Sequence, residues 1–292
     1  MKRINELFKP SKITWTGKSK ILLTENGKFV VKPKNKCIKS LHDYLLVRGF
    51  SNYSKVVDEF DDNYVYEHLE EINVPINQKA SDMAGLLANL HNKTSYYKTV
   101  TSDYYKSIYE IVQGNLSYIE DYYSKEFDRI SREVIMSPSD YLIIRNASKL
   151  NEVFEFTKKE LETWFNKVSS NTKERVVYCH NNLSIDHYIK NLDDYFISWD
   201  NYAIDTPVLD LINLYKSDYD RYDFSNFFEI YNYSFPLTEE EKKLFYIVIA
   251  LPYELRLKSD EFNNTKMTNE LFVYLYKTEN LIRSYYSPHN KE

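Results

Sequence analysis

Glycine is scarce, with five in 292 residues, and cysteine is scarcer, with two. The glycines form no dinucleotide-binding turn and no GxSxG nucleophile elbow, and the chain has no HExxH metal motif. Cys37 and Cys179 make no disulfide framework and no CxxC metal spacing, so both are expected to be plain thiols in a reducing compartment. Long apolar runs are missing as well. The greasiest, "LFYIVIALPYEL", is about half of the roughly 20 residues that span a bilayer, and it contains Pro252. "MKRINELFKPSK" is positively charged but has no apolar stretch of signal-peptide length, so a cytoplasmic protein without a membrane partner is expected. An excess of basic charge is also lacking. The net charge of −5 argues against a nucleic-acid partner. Lys32, Lys34, Lys36 and Lys39 are the one local basic cluster, readable as a patch or as a solvated strand end and loop.

With 43% apolar and 28% charged residues, the chain is an ordinary globular one. Its 28 tyrosines are expected mostly in the core and between helices. No period of 20–50 residues repeats. Residues 13 to about 70 carry strand signals. "ILLTENGKFVVK" reads as a hairpin turning at Asn26-Gly27, "KSLHDYLLVRGF" as a helix ending at Gly49, and "YVYEHLEE" as a strand and its exit. Met83, Leu86, Leu87 and Leu90 then recur at helical spacing behind Ser81, a candidate N-cap. Helical patterns continue over 103–132 and 151–168, and Ser137-Pro138-Ser139-Asp140 opens another helix. "RVVYCH", "HYIK" and "YFISW" are short strands. A capping box at Thr238-Glu239-Glu240-Glu241 starts one of the last helices. The break at residues 70–77, with Pro75, divides the chain into parts of 1–70 and 71–292.

This layout resembles the kinase-like fold of aminoglycoside and choline phosphotransferases, and within it the CotS-type spore-coat-associated proteins. Five pieces carry the likeness. "FVVK" resembles the strand whose lysine, here Lys32, contacts nucleotide phosphates. "YVYEHLE" resembles the hinge strand, placing Glu67, His68 and Leu69 where backbone groups would hold an adenine. "GLLANLHNKT" resembles the helix ending in Leu-x-x-Leu-His. "CHNNLSIDHYI" resembles the His-Gly-Asp-Leu catalytic loop with its metal-binding Asn. "ISWDNYAIDTPVLDL" resembles the Ile-Asp-Phe-Asp segment followed by Pro and Asp-Leu. The resemblance implies a bilobal α+β protein, with a small N-terminal lobe of antiparallel sheet and one helix and a larger, mostly helical C-terminal lobe.

The resemblance also shows what has changed. The proton-accepting Asp falls on Asn182, the metal-binding Asn on His187 and the metal-binding Asp on Ser198. His180 survives as a brace for the loop; Leu183, Asp200, Pro207, Asp210 and Leu211 survive as frame. Phosphoryl transfer depends on positioning and on Mg²⁺ bridging the phosphates, and Mg²⁺ prefers carboxylate oxygens. Ser198 offers one neutral oxygen, and the imidazole of His187 suits softer metals. Asn182 cannot accept a proton, and losing a general base costs about 10²–10⁴-fold. A shift of two residues would instead place Asp200 at the metal position.

Two functions follow from these departures. One is a catalytically degenerate, pseudokinase-like protein without a cofactor, acting through protein partners in the spore coat or its assembly. The other is an ATP- and Mg²⁺-dependent small-molecule phosphotransferase whose metal site has moved to Asp200 and Asp186. His91 is expected to be a packed, hydrogen-bonded histidine. His180, Asp186 and His187 lack a further strong ligand for a transition-metal site. Gly17-Lys18-Ser19 is no P-loop, because Lys12 stands where the first glycine belongs and a strand follows.

Overall fold

The structure is a computed structural model that describes residues 2–17, 19–60, 62–258 and 260–286. Lys18 of the Gly17-Lys18-Ser19 segment lies outside the described residues. Contacts group the chain into two compact units, each discontinuous in sequence. The first comprises Met1–Ser95, Val177–Asp205 and Asn226–Phe235; residues 70–77 lie inside it. The second comprises Tyr96–Val176, Thr206–Ser225 and Pro236–Glu292.

The first unit opens with helix α1 (Lys2–Phe8), which the sequence reading did not foresee. Five antiparallel strands follow: β1 (Lys12–Thr16), β2 (Ser19–Thr24), β3 (Gly27–Pro33), β4 (Val56–Phe60) and β5 (Asn63–Glu67), in the spatial order β1-β2-β3-β5-β4. Ile4 of α1 packs with Leu22, Val31 and Val65 on one face of this sheet. The β2–β3 hairpin exists, but its turn sits one residue earlier than expected. Thr24 pairs with Gly27, so the loop is Glu25-Asn26. The Thr24 hydroxyl receives the Asn26 N–H and donates to the Gly27 carbonyl, which closes the turn with side-chain chemistry. Gly27 opens β3 at φ 114°, a backbone that L side chains rarely adopt.

Helix α2 (Ile38–Val47) buries Ile38, Leu41, His42 and Leu45. It ends as the sequence suggests: Gly49 takes φ 76° and the Phe50 N–H reaches back to the Leu45 carbonyl. Arg48, just past its last turn, is exposed. Helix α3 (Ile76–Thr94) begins right after Pro75, which corrects the N-cap expected at Ser81. Ser81 lies inside the helix and its hydroxyl donates to the Asn77 carbonyl one turn back.

The second unit is mainly helical. It carries β6 (Tyr96–Thr99), α4 (Ser102–Ile130), α5 (Pro138–Arg145) and α6 (Ala147–Val168). Ser137 caps α5, accepting the Asp140 N–H at 3.2 Å. β7 (Lys173–Cys179) starts here against β6 and ends in the first unit. The first unit then gains the β8 (Tyr188–Lys190) and β9 (Asp194–Phe196) hairpin and β10 (Ala203–Asp205), which pairs with the end of β7. α7 (Val208–Asp218) belongs to the second unit, and most of α8 (Phe224–Ser234) to the first. α9 (Glu239–Ala250) and α10 (Glu261–Tyr286) finish the second unit. The Thr238–Glu241 capping box is present in both directions. Asp210, in the first turn of α7, is fully buried. Both cysteines are free thiols, Cys37 exposed and Cys179 buried. Among the described residues no helix is long and apolar enough to cross a membrane.

One buried group should make stability depend on pH. The His42 ring stacks on Tyr53 at a centroid distance of 3.9 Å. Burial pushes its pKa from 6.5 down to about 4, with Asp43 pulling weakly the other way. Below pH 6.5 the unfolded chain therefore binds a proton that the folded protein refuses. Stability should be complete above about pH 6.5 and fall toward pH 4, by up to about 3 kcal/mol. His42→Phe, which keeps the stack, is expected to flatten that decline in urea midpoints between pH 6.5 and 4.5. Equal slopes in the two proteins would show that His42 is not the group responsible.

Candidate functional site

Strand alternation builds the site. Side chains directly opposite one another across β2, β3 and β5 share a sheet face. The register sets Ile21 opposite Val30 and Val30 opposite Tyr66. All three line a cavity of about 370 Å³ that lies wholly within the first unit. Lys32, two residues beyond Val30 on the same face, enters it too. The β5 exit supplies Glu67, His68 and Leu69, and the 185–199 segment supplies Asp186, His187, Ser198 and aliphatic side chains. Residues far apart in the chain thus meet in one place.

Lys32 holds the centre. Its Nζ donates to Ser198 Oγ at 2.7 Å and lies 3.8 Å from Asp200 Oδ2. Its side chain is only 16% exposed. Burial lowers the Lys32 pKa, and the charge of Asp200 opposes part of that shift. The Tyr66 phenol is pushed up, chiefly by burial and then by Asp200.

Ser198 is held in an unusual backbone state, φ 68° and ψ 48°, just before the short helical turn Trp199–Asn201 that carries Asp200. A non-glycine residue there costs roughly 1–2 kcal/mol. Bonds on both sides hold it. Lys32 binds its hydroxyl, and the Asn182 amide donates to its carbonyl at 3.2 Å. His187 in turn donates from Nδ1 to the Asn182 carbonyl at 2.5 Å. His180, fully buried, donates from Nε2 to the Ile197 carbonyl at 2.8 Å and packs on Trp199 at 4.6 Å. Asn182, His187 and Ser198 are therefore joined by hydrogen bonds from side chains to backbone carbonyls.

The β5 exit is largely engaged with its own sheet. The Glu67 carbonyl accepts from the Ser54 hydroxyl, its carboxylate accepts the Lys55 N–H, and the His68 N–H reaches the Lys28 carbonyl at 3.3 Å. Asp186 lines the cavity but is exposed to solvent. His91 lies elsewhere in the first unit, fully buried, with Nδ1 2.7 Å from the Tyr231 hydroxyl. Tyr66, Ser54 and Trp199 also line the site and were not singled out from the sequence. Strand periodicity could have found Tyr66, since it stands two residues from buried Tyr64 on a strand paired with β3.

The metal implied by the resemblance can be tested against this donor set. At position 187 stands an imidazole whose Nδ1 is bound to the chain. At position 198 stands a hydroxyl that already accepts from Lys32. Neither is the carboxylate or amide oxygen that a small hard cation favours, so these two residues do not fit Mg²⁺.

The left-handed state of Ser198 gives a direct test. Ser198→Gly removes the strain along with the hydroxyl, and its urea midpoint should stay near that of the wild type. Ser198→Val puts a β-branched residue in the left-handed region and should destabilise by about 1–3 kcal/mol. Equal midpoints for the two variants would contradict this backbone geometry.

No protein-family model matches the chain, and no curated protein matches it. Solved structures do match. The chain is similar to an aminoglycoside phosphotransferase from Alicyclobacillus acidocaldarius, with a TM-score of 0.69 at 12% identity over 94% of this chain and 91% of that one. It is also similar to the AMP-bound spectinomycin phosphotransferase APH(9)-Ia, with a TM-score of 0.55 at 10% identity over 99% and 96%. At such identities the likeness speaks for the fold. The chain has the α+β, kinase-like fold of these phosphotransferases, with an N-terminal antiparallel sheet and a larger helical portion, 57% helix and 18% strand.

Proposed function

We propose that this protein is a kinase-fold chain that no longer transfers phosphoryl groups and acts as a structural or interaction component. By its resemblance to CotS-type proteins, the proposed setting is the spore coat or its assembly, with other coat proteins as partners. One observation supports the proposal: Asn182, His187 and Ser198, which the resemblance sets at the positions of the base and the metal ligands, are hydrogen-bonded to one another and to Lys32. An amide at 182 that donates to a carbonyl cannot take a proton from an acceptor hydroxyl. Losing the base alone removes about 10²–10⁴-fold of rate, and the two ligand positions act on the same transition state.

A second reading has its own support. Asp200 lies 3.8 Å from Lys32, and Asp186 lines the same cavity. Two carboxylates so placed are what an active phosphotransferase with a displaced Mg²⁺ site would need. In this reading ATP is the donor and a small alcohol, sugar or aminoglycoside the acceptor.

Transfer assays separate the two. With ATP, Mg²⁺ and a panel of amino-alcohol, sugar and aminoglycoside acceptors, the wild type should show no turnover above background. Turnover that Asp200→Ala abolishes would establish the second reading and sink the first. The triple variant Asn182→Asp, His187→Asn, Ser198→Asp should gain Mg²⁺-dependent ATP binding before any transfer, while single reversions gain almost nothing.

A further inference from the structure

We propose that the ligand of this cavity is an uncharged nucleoside, bound in preference to a nucleoside triphosphate. The inference rests on reading the cavity as the nucleotide pocket of a kinase-like fold; it does not require that transfer be lost. About 370 Å³ is toward the lower end of the roughly 300–1,000 Å³ typical of small-molecule sites. Its walls are largely aliphatic and aromatic, with Ile21 and Val30 from the sheet and Ile189, Ile197 and Trp199 from the later segment. At the β5 exit, which lines the same cavity, the Glu67 backbone groups and the His68 N–H are taken by the sheet, while Leu69 takes none of the hydrogen bonds found among the described residues. A flat heteroaromatic ring with donors and acceptors on its edge satisfies both features.

Charge decides what can be attached to that ring. Among the described residues lining the cavity, Lys32 is the one ammonium and Asp186 brings a carboxylate, while Glu67 stands opposite Phe29 on the other sheet face and its carboxylate accepts the Lys55 N–H. Asp200 adds a second carboxylate against Lys32 itself. One positive charge thus stands with two negative ones. Lys32 is already engaged, donating to Ser198 and paired with Asp200. A phosphate chain would have to displace those partners and then sit in a surplus of negative charge. Like charges in such a partly buried site repel much more strongly than in water. A ribose hydroxyl meets neither penalty.

Titration calorimetry on the full chain in EDTA, with adenosine, AMP and ATP as probes, tests the order. Adenosine should bind at least about tenfold more tightly than ATP, a gap of about 1.4 kcal/mol, with AMP between them. Asp200→Asn should narrow the adenosine-to-ATP ratio. Asp186→Asn, at an exposed position, should narrow it too and covers the case in which the Asp200 variant fails to fold. ATP binding as tightly as adenosine in EDTA would overturn the proposal, and so would no adenosine binding at all. A ratio unchanged in both variants would overturn the electrostatic cause. Phosphoryl transfer with Mg²⁺ would sink the non-catalytic reading while leaving this metal-free order standing. ATP outcompeting adenosine in an inactive protein would do the reverse.

Discussion

The contact between Lys32 and the Ser198–Asp200 turn is the constraint on which the site depends. It joins residues 166 positions apart, one on the sheet and one on the segment that follows β9. A half-buried ammonium needs compensation, because leaving a charge desolvated and unpaired costs several kcal/mol. Here the compensation is a hydroxyl at 2.7 Å and a carboxylate at 3.8 Å. That need explains why Ser198 is held in the left-handed region and why Asp200 turns toward the sheet. Lys32 and Asp200 also set the charge at this end of the cavity.

From that contact the rest of the loop follows as a chain of donors and acceptors. Asn182 spans to the Ser198 carbonyl, His187 closes on the Asn182 carbonyl, and His180 supports Ile197 from beneath an aromatic layer of Phe196 and Trp199. Phe196 is tied to the loop after α2 through its N–H to the Asn52 carbonyl and a bridge to Tyr53, whose ring packs on His42. Protonation of His42 and strain at Ser198 therefore act on one connected body of packing.

Local rules were readable wherever a residue's partner lies within a few positions. Gly49 ends α2, Ser137 caps α5 and Thr238 with Glu241 caps α9, because each bond is made within about one turn of helix. The misreadings were local competitions. Ser81 has the chemistry of an N-cap, but Pro75 supplies the start of α3 and frees the serine to bond back into the helix. Asn26-Gly27 is the stronger turn dipeptide, yet the Thr24 hydroxyl draws the turn to Glu25-Asn26.

By itself, the sequence determined the order of elements, the kinase-like layout, and which residue types stand in the segments that carry the resemblance: Lys32, Asn182, His187 and Ser198. Those are matters of pattern and residue type, and both are present in the linear chain. Whether Asp200 turns toward Lys32, that Tyr66 and Trp199 share the cavity, and how Asn182, His187 and Ser198 bond to each other were decided only by tertiary structure. The physical reason is distance. A side chain's charge and its hydrogen-bond partners depend on neighbours brought from more than a hundred residues away, and no local spacing encodes where that packing will place a carboxylate.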